Sequence, residues 1–160
     1  MNLVRKNMLL VLITFVITFF GCQSKPDFEK LRAEIIALHK TTIEAHWKKD
    51  INFFTKDISE NYFSVGNGEI QKKTKKEITE QFTNYLNNTT FSEYRDLQEP
   101  IIGFSKDGSL AWSIVKVKIV GNRKMNDGAE RELDFICVWI TLYEKPGDTW
   151  IRLGEVSSFK

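Results

Sequence analysis

The chain has 160 residues, with 23 Lys and Arg against 21 Asp and Glu. That length suits one domain with a real core. The near balance of charge leaves nucleic-acid binding without electrostatic support. Cys22 and Cys137 are the only cysteines, so no disulfide framework holds the fold. Lys72, Lys73, Lys75 and Lys76 form a local basic cluster beside a predicted helix start, where a solvated face accounts for them.

The chain opens with Arg5 and Lys6 and continues into an uncharged apolar run from Met8 to Phe20, followed by Gly21-Cys22. A membrane-crossing helix needs roughly 20 apolar residues, so this shorter run reads as the hydrophobic region of a signal peptide. The small residue before a cysteine resembles the cleavage motif of bacterial lipoproteins, although Phe19 and Phe20 depart from the usual Leu and Ala or Ser. The resemblance implies cleavage after residue 21, lipidation of Cys22, a short tether over residues 22–27 and a domain over 28–160. It places the protein in the bacterial cell envelope, on the outer face of the inner membrane or on the outer membrane. Removing residues 1–21 takes away two basic residues and no acid, leaving the mature chain without formal net charge.

Beyond the tether, Leu31, Ile35, Leu38, Thr42 and Ala45 repeat at helical spacing, with His46 at the border of the stripe. Asp50 to Lys56 reads as a short helical turn. Tyr62 to Val65 reads as a strand, and Gly66-Asn67-Gly68 supplies the residues of a tight hairpin. Thr74 and Glu77 form a capping box for a helix whose apolar face is Ile78, Phe82, Tyr85 and Leu86. Runs over about 89–105, 109–123, 130–145 and 149–159 then read as strands. They are separated by Asp107-Gly108, Asp127-Gly128 and Gly147-Asp148. Helices first and strands later give an α+β class.

This order resembles the nuclear transport factor 2-like superfamily, with its SnoaL-like and ketosteroid-isomerase-like members. The segment Ala45-His46-Trp47-Lys48-Lys49-Asp50 is similar to the end of that family's first helix. Gly147-Asp148-Thr149-Trp150-Ile151-Arg152 is similar to its last hairpin. The resemblance implies a cone-shaped α+β roll, a curved antiparallel sheet wrapped around N-terminal helices and a pocket between them, often in a dimer. The isomerase's catalytic residues do not carry over. Thr42 stands at the Tyr position, Ser64 or Gly66 near the general-base Asp, and Trp139 near the second Asp. Gly154 and Val156 occupy the places where related enzymes carry inward histidines.

Alternation along the strands then selects an inward face. It contains Tyr62, Ser64, Ser113, Val115, Val117, Cys137, Trp139, Thr141 and Arg152, joined by Thr42 and His46 from the first helix. Thr42, His46, Tyr62, Ser64, Trp139 and Arg152 are the ligand-binding candidates. The aromatic residues and His46 also read as core, and Arg152 needs an acidic partner from a ligand or a neighbouring strand. His39 reads as a flank residue. No residue spacing calls for a metal or cofactor. Cys137 reads as a small buried hydrophobe.

Three functions fit. The domain can bind a small apolar or weakly acidic molecule. It can be an isomerase-, cyclase- or hydrolase-type enzyme with His46 as its base. It can also act as an interaction module. The outward row of Trp112, Ile114, Ile136, Val138, Ile140 and Leu153 calls for cover by a second copy, giving a homodimer through the sheet, or by the membrane.

Overall fold

The computed structural model describes residues 25–160, so the leader and Cys22 lie outside the described residues. Asp27 caps the first helix, α1 (Phe28–Lys48), accepting a hydrogen bond from the Lys30 amide at 3.1 Å. Lys49 ends α1 in the left-handed conformation, with φ 55°. Asp50 at once caps the short α2 (Ile51–Lys56) by accepting from the Phe53 amide. Among the described residues no helix is long and apolar enough to cross a membrane.

A hairpin follows, β1 (Ile58–Gly66) and β2 (Glu69–Lys73). Its turn has Asn67 at φ 53° and Gly68 at φ 80°, the backbone that Asn-Gly adopts at low cost. Thr74 and Glu77 close both arms of the capping box at the start of α3 (Lys75–Asn88). The remaining strands are β3 (Thr89–Asp96), β4 (Ile101–Phe104), β5 (Leu110–Lys124), β6 (Glu130–Glu144) and β7 (Ile151–Phe159).

The strands form one curved, unclosed sheet in the order β2-β1-β7-β6-β5-β3, with β4 also paired to β5. The expected α+β roll is therefore present, with two differences in detail. The run over 89–105 is two strands, because the segment around Pro100 leaves the ladder: a proline has no N–H to give it. Both pieces pair with β5. The sheet is also mixed, since β1 and β7 run parallel while the other pairs are antiparallel. At that contact β7 needs a glycine. A Cβ on Gly154 would sit 2.5 Å from the Phe63 carbonyl oxygen and 2.7 Å from its ring.

The helices pack on the concave face in patches that surround its centre. Ile35 of α1 packs against Ile102, Ala111, Tyr143 and Trp150 at one end. Ala45, Phe54 and Leu86 join the three helices, and Ile58, Tyr62 and Ile78 join α3 to β1. Each fully buried aliphatic side chain contributes about 1.5–3 kcal/mol. On the convex face Trp112 and Val138 stay 37% exposed.

Candidate functional site

The space between α1, α3 and the concave sheet holds a cavity of about 400 Å³. Strand pairing explains its lining. Ser113 of β5 faces Thr141 of β6, which faces Glu155 of β7, so three polar side chains form one row across the floor. The next rows are Val115, Trp139 and Ser157, then Val117, Cys137 and Phe159. Ile119 with Phe135 and Gly121 with Leu133 continue toward the open rim. The cavity thus runs from a polar floor along a mainly apolar and aromatic concave wall.

Of the sequence candidates, Thr42, His46, Trp139 and Arg152 line this cavity. Tyr62 and Ser64 do not. Tyr62 is buried against Ile58, Ile78 and Phe82, where the β1 face meets α3 rather than open space. Ser64 pairs beside Glu155 on the parallel neighbour and lies outside the lining. The Thr42 hydroxyl donates to the Leu38 carbonyl of its own helix at 2.9 Å.

His46 is held on both sides. Its Nδ1 lies 2.7 Å from the Thr42 carbonyl, which can only accept, so Nδ1 carries the proton. Nε2 then accepts from the Tyr94 hydroxyl at 3.2 Å, and the two rings stack with centroids 4.2 Å apart. Burial pushes the imidazole pKa from 6.5 down to about 4. The Thr42 bond opposes this, and the charges of Arg152 and His39 add to it. A neutral imidazole with its lone pair occupied is a poor base at neutral pH. His39 is no flank residue. It is buried, lines the cavity and pairs through Nε2 with Asp96 Oδ1 at 2.7 Å.

Arg152 Nη2 donates to the carbonyls of Phe53, at 3.0 Å, and Phe54 in α2. Its guanidinium lies 5.7 and 5.9 Å from the centroids of those two rings. Glu155, on the same strand, feels its charge without forming an ion pair with it. Burial raises the Glu155 carboxyl above its ordinary value, against the pull of Arg152, Tyr62 and Lys73. The same burial, then the charge of Glu155, keeps the Tyr62 hydroxyl protonated. Cys137 is pushed up to about 11 by burial, so it presents a thiol, not a nucleophilic thiolate.

Glu155 is the site residue that simple alternation hides. Tyr143 pairs with Arg152 but Leu142 pairs with Gly154, so Leu153 is an extra residue, a β-bulge. The bulge inverts the parity of β7. Arg152 points in, and beyond it Glu155 and Ser157 line the cavity, where Gly154 and Val156 were expected.

An α+β roll with a cavity between helices and concave sheet defines a class of pocketed domains. No protein-family model and no curated protein sequence matches the chain. Solved structures do. A nuclear transport factor 2-like superfamily protein from Salmonella enterica serovar Typhimurium superposes with a TM-score of 0.65 at 15% identity, over 82% of this chain and 92% of that one. A nuclear transport factor 2-like protein from Cytophaga hutchinsonii gives 0.63 at 14%, over 79% and 96%. A ketosteroid isomerase-like protein from Erwinia carotovora gives 0.58 at 15%, over 77% and 91%. The chain has the nuclear transport factor 2-like fold.

Proposed function

We propose that this domain binds a small, largely apolar molecule in its internal cavity, and that a lipid on Cys22 holds it at the bacterial cell envelope. The observation that carries the binding reading is the open volume of about 400 Å³, which Trp139, Phe82 and the other aromatic residues leave unfilled. A concave, mainly apolar site with a few convergent polar groups is the usual form of a small-molecule pocket. The floor row of Ser113, Thr141 and Glu155 supplies donors and acceptors that would orient a polar group of the ligand.

Nile red, a neutral apolar dye, tests this. Its fluorescence should rise and saturate with the native domain. Thr42→Phe should weaken binding at least tenfold, because it places a ring in the cavity from a helix position whose neighbours are unchanged. Equal binding by both proteins would put the dye elsewhere and end the reading.

The anchoring proposal rests on Arg5, Lys6, the apolar run and Gly21-Cys22. One acyl chain binds membranes only marginally, and further chains make the attachment stable. Cys22→Ser should release the protein from membranes or leave it unprocessed. A Cys22→Ser protein of mature size that still fractionates with membranes would contradict lipidation.

A second reading, an enzyme, is supported by Glu155, a carboxyl whose raised pKa suits proton transfer inside the cavity. The likeness to a ketosteroid isomerase-like protein agrees with it in fold only. Ligand recovered chemically altered from the native domain, but unaltered from Glu155→Gln, would favour the enzyme over the binding module.

A further inference from the structure

The cavity has a second charged feature at the end away from Glu155. Arg123, near the end of β5, lines the rim. Its Nε is buried and has no hydrogen-bond partner. Its guanidinium carbon lies 5.4 Å from the centroid of the Tyr85 ring, so a cation–π contact holds the group in place without satisfying that N–H. Among the described residues no carboxylate lies within ion-pair distance of it.

Arg131 is the residue directly across the ladder from Arg123. It shares the parity of Leu133 and Phe135, which line the cavity, so both arginines belong to the concave face, with Arg123 in the lining and Arg131 exposed outside it. Like charges directly opposite on one face destabilise a strand pair. Burying a guanidinium N–H without a partner adds a further cost. An anion at the rim removes both costs.

From Ser113 to Arg123 an extended strand covers about 33 Å, which sheet curvature and the length of the Arg123 side chain reduce. Between these ends the strands present mainly apolar and aromatic side chains, with Ser157 the polar exception on β7. A ligand that satisfies the whole cavity is therefore elongated and has its charge at one end.

We infer that the rim is an anion-anchoring site, with Arg123 binding the acidic head group of an elongated amphipathic molecule whose apolar chain lies along the concave wall. This rests on the pocket reading above and adds the ligand's class and orientation. A planar guanidinium edge pairs well with either a carboxylate or a phosphate head.

Displacement of Nile red by dodecanol, dodecanoate and dodecyl phosphate at pH 7.5 tests it. These share a chain and differ only in the head. At least one anion should bind ten- to a hundredfold more tightly than the alcohol, the range expected of a charge-assisted hydrogen bond worth about 1.5–3 kcal/mol. A preference for dodecanoate or for dodecyl phosphate identifies which head the rim takes. In Arg123→Met the anion-to-alcohol affinity ratio should fall close to one, and in Arg123→Lys it should lie between. The native protein alone can overturn the proposal: an alcohol that binds as tightly as both anions leaves the pocket reading intact and removes the rim site. A ratio unchanged in a folded Arg123→Met removes it too. Failure of Nile red and all three compounds to bind removes both readings together.

Discussion

Replacing Arg152 with Met is expected to cost about 1.5–3 kcal/mol of unfolding free energy in urea at pH 7, the scale on which losing a charge-assisted hydrogen bond acts. Met keeps most of the apolar stem, so the loss isolates the guanidinium. Two consequences follow at once. The Phe53 and Phe54 carbonyls lie near the end of α2, where helical C=O groups lack partners of their own, and they lose the donor that satisfies them. Glu155 loses the charge that most favours its ionised form. Glu155→Gln should behave in the opposite sense. The Glu155 carboxyl is raised in the folded state, so its contribution to stability is greatest below the ordinary carboxylate pKa and is lost as pH rises. Gln mimics the uncharged form, and the single variant should be at least as stable as the native protein at pH 7. The double variant should recover part of the Arg152→Met loss, with a coupling of about 0.5–3 kcal/mol. Additive effects, or an Arg152→Met cost below about 1 kcal/mol, would show that Arg152 does not act on the Glu155 charge at the cavity floor.

The second large effect is acid sensitivity set by His46. Its pKa is about 4 in the folded protein against 6.5 in a free side chain. A histidine held neutral contributes stability that is present above 6.5 and is lost as pH falls toward 4. The displacement corresponds to about 3 kcal/mol between pH 7 and pH 4. Glu155 works against this trend, because protonation relieves the cost of its burial. The measurement is therefore a comparison. Stability curves of the native protein and His46→Gln should converge as pH falls, their difference changing by about 3 kcal/mol over that interval. Parallel curves would mean that His46 is protonated within the fold at little cost. That would conflict with the use of Nε2 as acceptor for the Tyr94 hydroxyl, because an imidazolium keeps its Nδ1 bond to Thr42 but has no free lone pair on Nε2.

Much of the fold could be read locally. The α1 stripe, the Asn67-Gly68 turn and the Thr74–Glu77 capping box each depend on residues a few positions apart. Their chemistry needs no tertiary context. What escaped the sequence was nonlocal. The parallel pairing of β1 with β7 joins the two ends of the domain. His39 is drawn inside by Asp96, which lies on β3. The site depended most on one residue, because Leu153 as a bulge turns Glu155 and Ser157 inward and defeats a strict two-residue alternation. Arg152 was legible as an inward charge that needs a partner. That the acid it acts on stands three positions along the same strand was not, since only a bulge lets both line one cavity. Tyr62 and Ser64 had the right parity but the wrong neighbours: β1 is covered by α3 where the cavity would otherwise extend.

The central claim is that the space between α1, α3 and the concave sheet receives a ligand. Backbone amide spectra of residues 25–160, recorded during titration with Nile red, test it most directly. The account predicts saturable shifts concentrated at Thr42, Tyr94, Cys137, Trp139, Thr141 and Glu155, with the convex residues Trp112 and Val138 unmoved. Shifts confined to the convex face, with the cavity residues silent at saturation, would contradict it.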